Sequence, residues 1–195
     1  MNSGPELILG STSIYRRELL ERLKIPFRVV APDIDETPYE DETPQQLVAR
    51  LALEKAQSVA INNPGSLVIG SDQVAVHGGK IVGKPHSHDR AMEQLREANG
   101  KQITLYTGLS LVHADSGEEL TEVIPFQVLF RQLTEQQLES YLHKEQPYHC
   151  AGSVKSEGLG IALLERFEGE DPNTLIGLPL IRLIRMLEHF GINVI

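Results

Sequence analysis

Asp72 is the residue of this sequence whose setting points most directly to chemistry. It follows the apolar run at residues 67–69 and two small residues, so a carboxylate stands where a buried segment is interrupted. Burying a carboxylate is costly unless it is paired or functional, which favours a catalytic or metal-binding role. A turn at residues 77–80 predicts a hairpin that could return Lys84 to the neighbourhood of Asp72. A carboxylate beside a fixed positive charge suits phosphate hydrolysis.

A second group of polar residues could bind an anion. Ser11, Ser13 and Arg16 follow the apolar run at residues 7–9, and leucines at helical spacing come after them. Ser13 is a good N-cap, and the first turn of a helix offers backbone N–H groups to an anion. Arg16 and Arg17 add guanidinium groups that fit phosphate oxygens. The pattern indicates a phosphate cradle, although an ordinary capped helix with solvated arginines explains it equally well.

Other phosphate-binding motifs are absent from the sequence. No Gly-x-Gly-x-x-Gly follows the first strand, and no Gly-Lys-Ser/Thr P-loop occurs. Residues 33–38 carry three carboxylates within four positions, including Glu36. They could bind a divalent cation or form a solvated turn, which is the commoner outcome. The glycine-rich residues 150–160, with Lys155 and Glu157, are a ligand loop or a plain connection.

The elements that must carry these residues alternate between strand and helix in the first half of the chain. Residues 43–46 combine an N-cap, a proline at the first position and a glutamine that completes a capping box. That helix should run to about Val59, with Arg50 and Lys55 facing a cleft or solvent. The predicted strands are residues 7–9, residues 25–30 and a core strand that starts at residue 67 and has Asp72 at its end. The predicted helices start after Ser13 and at residue 44.

The second half of the chain predicts a hairpin of long strands and three further helices. The predicted elements are helix 87–98, strands 102–112 and 119–131, helix 134–144, strand 161–164, turn 171–174 and helix 178–190. The pattern favours a mixed α/β sheet with helices on its faces. Ligands of such sheets bind beyond strand ends, where the loops of Ser11, Asp72 and Glu157 could converge.

Length and composition predict one globular domain over residues 1–195. The chain has 195 residues, 41% hydrophobic and 23% charged, which is ordinary globular composition. It shows no membrane-spanning run or signal-peptide pattern, and its single cysteine fits a reducing compartment, so we expect a cytoplasmic location. A net charge of −9 argues against general nucleic-acid or anionic-membrane binding. An anionic ligand must therefore be held by a local cluster.

Eight short segments, in order along the chain, together resemble the Maf family of nucleoside triphosphate pyrophosphatases. They are Ser-Thr-Ser at 11–13 with Arg16, Asp-Glu-Thr-Pro at 35–38, Arg-Leu-Ala at 50–52 with Lys55 and Ala56, Gly-Ser-Asp-Gln at 70–73, Gly-Lys-Pro at 83–85, Tyr-Thr-Gly-Leu at 106–109, Ala-Gly-Ser at 151–153, and Gly-Leu-Pro-Leu at 177–180. No single segment is specific, but their combination and order are.

Three positions, Tyr15, Gln73 and Glu157, resemble the subgroup of this family that hydrolyses 7-methylguanosine triphosphate. The family usually starts with Ser-x-Ser-Pro-Arg-Arg, but here Ile14 replaces the proline and Tyr15 replaces the first arginine. The subgroup carries an aromatic residue, commonly tryptophan, at the position of Tyr15. Gln73 and Glu157 also match it, whereas the subgroup acting on thymidine and uridine triphosphates has Thr and Gln there.

The resemblance implies a mixed sheet flanked by helices with a deep nucleotide cleft, as in Maf and ITPase-like proteins. It implies cleavage between the α and β phosphates of a nucleoside triphosphate, a divalent metal ion such as Mg, Mn or Co, and a homodimer. The implied roles are proton acceptor and metal ligand for Asp72, metal or water ligand for Glu36, triphosphate binding for Ser11, Arg16, Lys55 and Lys84, and base selection for Tyr15, Gln73 and Glu157.

Three alternatives stay open at this point. The same reaction could act on another nucleotide, such as UTP, dTTP or a different modified triphosphate. The chain could instead bind nucleotides without turnover as a regulator, since Maf relatives are associated with arrest of septum formation and cell division. A general base such as Asp72 has no purpose in a pure binder, which counts against that reading. A structural α/β domain with solvated charges does not explain so many polar residues at strand ends.

Overall fold

The computed structural model describes residues 4–195. Its strands are β1 (Glu6–Gly10), β2 (Arg28–Val30), β3 (Ser66–His77), β4 (Lys80–Val82), β5 (Gln102–His113), β6 (Glu119–Phe130) and β7 (Leu164–Glu168). Its α-helices are α1 (Ile14–Glu21), α2 (Pro44–Ala60), α3 (His88–Ala98), α4 (Glu135–Glu145), α5 (Asn173–Ile176) and α6 (Leu180–His189).

The strands form one seven-stranded mixed sheet. Its order is β2-β1-β3-β5-β6-β7, and β4 pairs with β3 off this path. Strand β1 runs parallel to both β2 and β3, whereas β4 is antiparallel to β3 and β7 is antiparallel to β6. The predicted fold class, a mixed α/β sheet flanked by helices, is confirmed.

The chain divides into two compact units. The first contains Met1–Gln73, Thr107–Ile124 and Asp171–Ile195, and the second contains Val74–Tyr106 and Pro125–Glu170. Strands β3, β5 and β6 each contribute residues to both units. The expectation of one domain over residues 1–195 stays a prediction.

In the first unit, β1 and β3 are buried on both faces. Side chains alternate across a strand, so Leu7 and Leu9 join one apolar cluster and Ile8 joins another. The first cluster includes Leu20 of α1 and Leu183 of α6, and the second includes residues of α2. This two-sided burial explains why these strands read as continuous apolar runs.

Glycines let the backbone of α2 approach the sheet closely. A Cβ atom on Gly70 would lie 2.0 Å from the carbonyl oxygen of Ala52, and one on Gly108 would lie 2.0 Å from that of Val48. Any larger residue would push the helix away from β3 and β5. The helix meets the sheet with small side chains, including the fully buried Ala52 and Ala56.

In the second unit, helices α3 and α4 pack together through buried apolar side chains. These residues are Ala91, Met92 and Leu95 of α3 and Leu138, Tyr141 and Leu142 of α4. Two glycines, Gly78 and Gly79, have positive φ at the turn between β3 and β4, as the predicted hairpin requires.

Helix starts are the best-predicted local features. Ser13 accepts a hydrogen bond from the backbone N–H of Arg16 and caps α1. Thr43 and Thr134 each form a complete capping box, at the starts of α2 and α4. The predicted helix at 87–98 is confirmed as α3, capped by Ser87.

Several predicted boundaries are wrong. Residues 161–163 do not form a strand, and the predicted strand begins only at Leu164, as β7. Leu159–Leu163 is a 3₁₀ helix, because Gly158 and Gly160 allow tight turns in which both of their N–H groups bond Lys155 O. The strand at 25–30 is shortened to Arg28–Val30, since Pro26 cannot donate to a neighbouring strand.

The C-terminal boundaries also differ from the predictions. The predicted turn at 171–174 includes the start of the one-turn helix α5. The last helix begins at Leu180 instead of residue 178, because a residue that precedes a proline avoids helical geometry. Within residues 4–195, no helix is both long and apolar enough to cross a bilayer.

We expect Gly108→Ala to lower the free energy of unfolding by about 3 kcal/mol, the upper range for overpacking a tight contact. The added methyl group has no space against the Val48 carbonyl oxygen. Urea unfolding measures the loss. Gly4→Ala is the matched control, because a Cβ atom on Gly4 would have no packing neighbour within 4 Å. Equal stability of the two variants would contradict the close packing of α2.

Candidate active site

Asp72 lies inside strand β3, and the expectation that it ends a strand is wrong. The strand continues to His77 because β4 pairs with residues 75–77. The Asp72 side chain is 13% exposed, and its Oδ1 accepts a hydrogen bond of 2.7 Å from Lys55 Nζ. A buried carboxylate is therefore stabilised by a buried ammonium group.

Lys55 joins two carboxylates from different parts of the first unit. It lies on the face of α2 that packs on the sheet, and only 8% of its side chain is exposed. Besides Asp72, its Nζ lies 2.8 Å from Glu36 Oε1. The sequence left open whether Lys55 faces a cleft or solvent. In the structure its side chain is buried and contacts both carboxylates.

Arg16 lies at the start of α1, where its guanidinium is held by the chain near residue 177. Its Nε donates to Gly177 O at 2.9 Å, and the buried Ser71 hydroxyl donates to the same oxygen at 3.3 Å. This hydrogen bond fixes the plane of the guanidinium. Because it uses Nε, the two terminal nitrogens can still make a bidentate contact with an anion. Within residues 4–195, the two terminal nitrogens of Arg16 have no hydrogen-bond partner.

Ser11 lies in the turn before α1 and is 4% exposed. Its Oγ accepts a hydrogen bond of 3.1 Å from the Ser13 N–H. The hydroxyl proton can then be donated to an acceptor such as a phosphate oxygen. Arg17 instead pairs with Glu21 at 2.9 Å on the exposed side of α1, which agrees with Arg16 as the stronger phosphate ligand.

Four charged side chains of the first unit form a cluster: Arg16, Lys55, Glu36 and Asp72. Burial lowers the pKa of Arg16, while the negative charges of Asp72 and Glu36 act in the opposite direction. Arg16 nevertheless keeps its charge, because an arginine pKa remains far above neutral pH. Two cations and two anions make the cluster of Arg16, Lys55, Glu36 and Asp72 neutral overall.

A divalent cation would need ligands besides the two carboxylates of this cluster. Within residues 4–195, no group of three or more His, Cys, Asp or Glu side chains could hold a metal ion. Mg²⁺, however, is commonly bound by one or two carboxylates together with waters and substrate phosphates. Asp72 and Glu36 each contact Lys55 through one carboxylate oxygen, and they are the candidates for such a pair.

Gln73 is fixed in a defined orientation. Its Nε2 donates to Thr107 Oγ1 at 2.7 Å and to Thr174 O at 2.6 Å. A backbone carbonyl can only accept, so the nitrogen of the amide must face Thr174 and the Oε1 atom must face the other way. Tyr15, the other first-unit residue predicted to contact the base, is 36% exposed at the start of α1.

Lys84 and Glu157 both lie in the second unit. Each side chain is exposed. Burial raises the pKa of the half-buried Cys150 thiol, the charge of Glu157 raises it further, and the charge of Lys84 lowers it. The two predicted residues therefore lie in one region of this unit. Their placement relative to Asp72 stays a prediction.

One glutamine connects the segments that carry these two residues. Gln94 of α3 donates through Nε2 to Gly83 O at 3.0 Å and accepts through Oε1 from Ser153 Oγ at 2.6 Å. Tyr141 donates its hydroxyl to Ser153 O at 3.0 Å, and burial raises the pKa of that hydroxyl. These bonds hold Ser153 at a positive φ of 60°.

Sequence reasoning missed the residues that hold the site in place. In the sequence, Thr107 and Gly177 belong to family motifs and Asp171 belongs to a predicted turn, and none of the three is marked as part of a site. Asp171 is 1% exposed, and its carboxylate accepts from the backbone N–H groups of Asn173 and Ile181, both at 2.8 Å. For Thr107 and Gly177 the available signal was their place in a family motif, although neither has a reactive side chain. Asp171 carried no such signal.

We expect Lys55→Met to lower the free energy of unfolding by about 3–5 kcal/mol, because it leaves the Asp72 carboxylate buried without its partner. The double variant Lys55→Met/Asp72→Asn removes that charge and should recover a large part of the loss. Urea unfolding of the single and double variants measures both effects. Additive losses would contradict a direct, buried pair.

Comparison with known proteins shows which family the chain resembles over nearly its whole length. The family described as "Maf-like protein" matches residues 6–190. A protein of Nitrosococcus oceani named 7-methyl-GTP pyrophosphatase is 59% identical over 191 residues, which cover 98% of this chain and 96% of that protein.

A solved structure of a HAM1 protein from Coxiella burnetii has a TM-score of 0.42 and 12% sequence identity. The match covers 65% of this chain and 73% of that one, and this partial likeness supports no conclusion about the site. The family match spans nearly the whole described chain and includes every predicted site residue. The chain belongs to the Maf family.

Proposed function

We propose that this protein is a nucleoside triphosphate pyrophosphatase that hydrolyses 7-methyl-GTP to 7-methyl-GMP and pyrophosphate. Such a hydrolase of phosphoric anhydride bonds would remove modified nucleotides from the pool. The observation that carries the proposal is the Lys55 ammonium group, held 2.7 Å from Asp72 and 2.8 Å from Glu36. The 59% identical relative named 7-methyl-GTP pyrophosphatase supports the choice of substrate.

In this proposal Asp72 accepts a proton from the attacking water. Phosphoryl transfer depends on in-line positioning and on neutralising phosphate charge more than on covalent chemistry. Ser11, Arg16, Lys55 and Lys84 bind the triphosphate and supply the charge and hydrogen bonds. The bond between the α and β phosphates then breaks, which releases the monophosphate and pyrophosphate.

The charge of the cluster supports a requirement for a divalent metal. Because Arg16 and Lys55 are balanced by Asp72 and Glu36, the cluster has no positive charge to spare for a triphosphate. When bound, a Mg, Mn or Co ion would supply that positive charge. Asp72 and Glu36 are the residues that would hold it.

Three residues are proposed to select the base. A 7-methylated guanine carries positive charge, which the aromatic face of Tyr15 attracts. Guanine also presents hydrogen-bond donors on one edge. The Oε1 atom of Gln73, oriented by Thr107 and Thr174, can accept from such donors, and so can the Glu157 carboxylate.

A homodimer and a cytoplasmic location are further parts of the proposal. The dimer is supported by the family resemblance and by Ile181 of α6, which is 48% exposed, whereas Leu180 and Leu187 of that helix belong to the apolar core. The acidic net charge of −9 supports a small-molecule substrate over a nucleic acid or a membrane.

The substrate and the general base are tested together by pyrophosphate release across 7-methyl-GTP, GTP, UTP and dTTP with Mg²⁺ or Mn²⁺. We expect 7-methyl-GTP to have the highest kcat/KM and Asp72→Asn to lower kcat by about 100-fold or more, the range for loss of a general base. Preference for UTP or dTTP would keep the reaction and overturn the substrate. Tight nucleotide binding without turnover would favour a regulator of septum formation.

Tyr15 variants test recognition of the methylated base. Tyr15→Leu removes the aromatic face, so we expect the kcat/KM ratio of 7-methyl-GTP over GTP to fall by about tenfold, as loss of a partly desolvated cation–π contact predicts. Tyr15→Phe keeps the face and should keep the ratio. If Tyr15→Leu lowered both substrates equally, Tyr15 would have no role in sensing the methyl group.

A further inference from the structure

We propose that Arg50 is a positioning residue that holds Glu36 in place beside Lys55 and Asp72. The inference deepens the proposed function and rests on it. Glu36 belongs to residues 31–43, here called the acidic loop, which connect β2 to α2 without helix or strand. Loops of this length inside compact domains are usually functional.

Glu36 needs an external support to stay where it is. Its side chain is 59% exposed, although it lies 2.8 Å from the buried Lys55 Nζ. An ion pair with so exposed a partner is weak, since solvent screens it and holding the side chain costs entropy. The position of Glu36 therefore depends on what holds the acidic loop against the protein.

Arg50 provides the support through a bidentate ion pair. Its Nε lies 2.7 Å from Glu42 Oε1, and its Nη2 lies 2.8 Å from Glu42 Oε2. The two side chains are only 15% and 8% exposed, so solvent screens this pair far less than the pair of Glu36. The hydrogen bond from Arg50 lowers the pKa of Glu42 against the opposing effect of burial.

The same guanidinium binds the loop at two more points. Its Nη2 donates to the carbonyl oxygen of Thr37 at 3.1 Å. Thr37 directly follows Glu36 in the chain. The Tyr39 ring lies 3.9 Å from the guanidinium carbon, and the Tyr39 N–H donates to Glu42 Oε2 at 3.0 Å. Arg50, Glu42, Tyr39 and Thr37 O together are called the arginine clasp.

The clasp fixes Glu36 because the chain around it is locally rigid. Asp35 Oδ1 accepts from both the N–H and the hydroxyl of Thr37, at 2.9 and 2.6 Å. A bond at Thr37 therefore constrains residues 35–37 as a unit. Arg50 and Lys55 also lie on one helix, α2, so the clasp and the acceptor of Glu36 share a rigid frame.

Arg50→Lys tests the proposal, because lysine keeps the charge but loses the planar fork and the stacking contact. We expect kcat for 7-methyl-GTP to fall by about tenfold or more, as misplacement of a catalytic group predicts. In a Glu36→Gln background the same substitution should cost little, because the residue it positions is gone. Equal losses in both backgrounds would show a structural role only.

Hydrogen–deuterium exchange gives a readout that needs no substrate. Arg50→Lys should speed exchange in peptides from residues 31–43 while peptides from β1 and β3 stay unchanged. Unchanged exchange in the loop, or faster exchange throughout the chain, would overturn the clasp. This result decides the proposal if Glu36→Gln is too slow to assay or if no triphosphate is hydrolysed at all, in which case the proposed function fails separately.

Two further variants complete the design. Arg96→Lys is the matched control, since Arg96 makes a similar bidentate pair with Glu135 on an exposed surface of the second unit. Its Nε lies 2.9 Å from Glu135 Oε1 and its Nη2 lies 2.7 Å from Glu135 Oε2. This substitution should change neither kcat nor exchange in the acidic loop. If Arg50→Lys does not fold, Glu42→Gln weakens the same pair at nearly constant shape, and it must show the same dependence on Glu36.

Discussion

The buried ion pair between Lys55 and Asp72 is the constraint on which the rest of the site depends. An ammonium group with 8% of its side chain exposed and a carboxylate at 13% exposed are tolerable only as partners. Their contact requires α2 to lie almost directly on β3, which explains glycine at position 70 and alanine at positions 52 and 56. Packing of a helix on a sheet thus sets the distance between two charged groups.

Charge balance links this pair to the proposed chemistry. The protein carries a net charge of −9, so its overall field repels a triphosphate and binding must depend on local groups. The local cations Arg16 and Lys55 are themselves matched by Asp72 and Glu36. This arrangement keeps the site stable without ligand, because the two positive charges are balanced by two negative ones. In the proposed function, a divalent metal ion would supply the positive charge that an anionic substrate needs.

Sequence reasoning succeeded where a signal is local. Caps such as Ser13 and Thr43 act within four residues, so helix starts could be read directly from residue types. The contacts that hold the site connect distant parts of the chain: Gln73 bonds the backbone of Thr174, 101 positions away, and Arg16 bonds that of Gly177, 161 positions away. The acceptors of these hydrogen bonds are backbone carbonyl groups. Because every residue has one, no residue type predicts these contacts.

The most direct test of the central claim is ³¹P NMR of the products formed from 7-methyl-GTP and Mg²⁺. If the cluster of Arg16, Lys55, Glu36 and Asp72 directs cleavage between the α and β phosphates, pyrophosphate and 7-methyl-GMP must accumulate in equal amounts from the first time point. Release of orthophosphate with 7-methyl-GDP would place the reaction at the wrong bond and contradict the account.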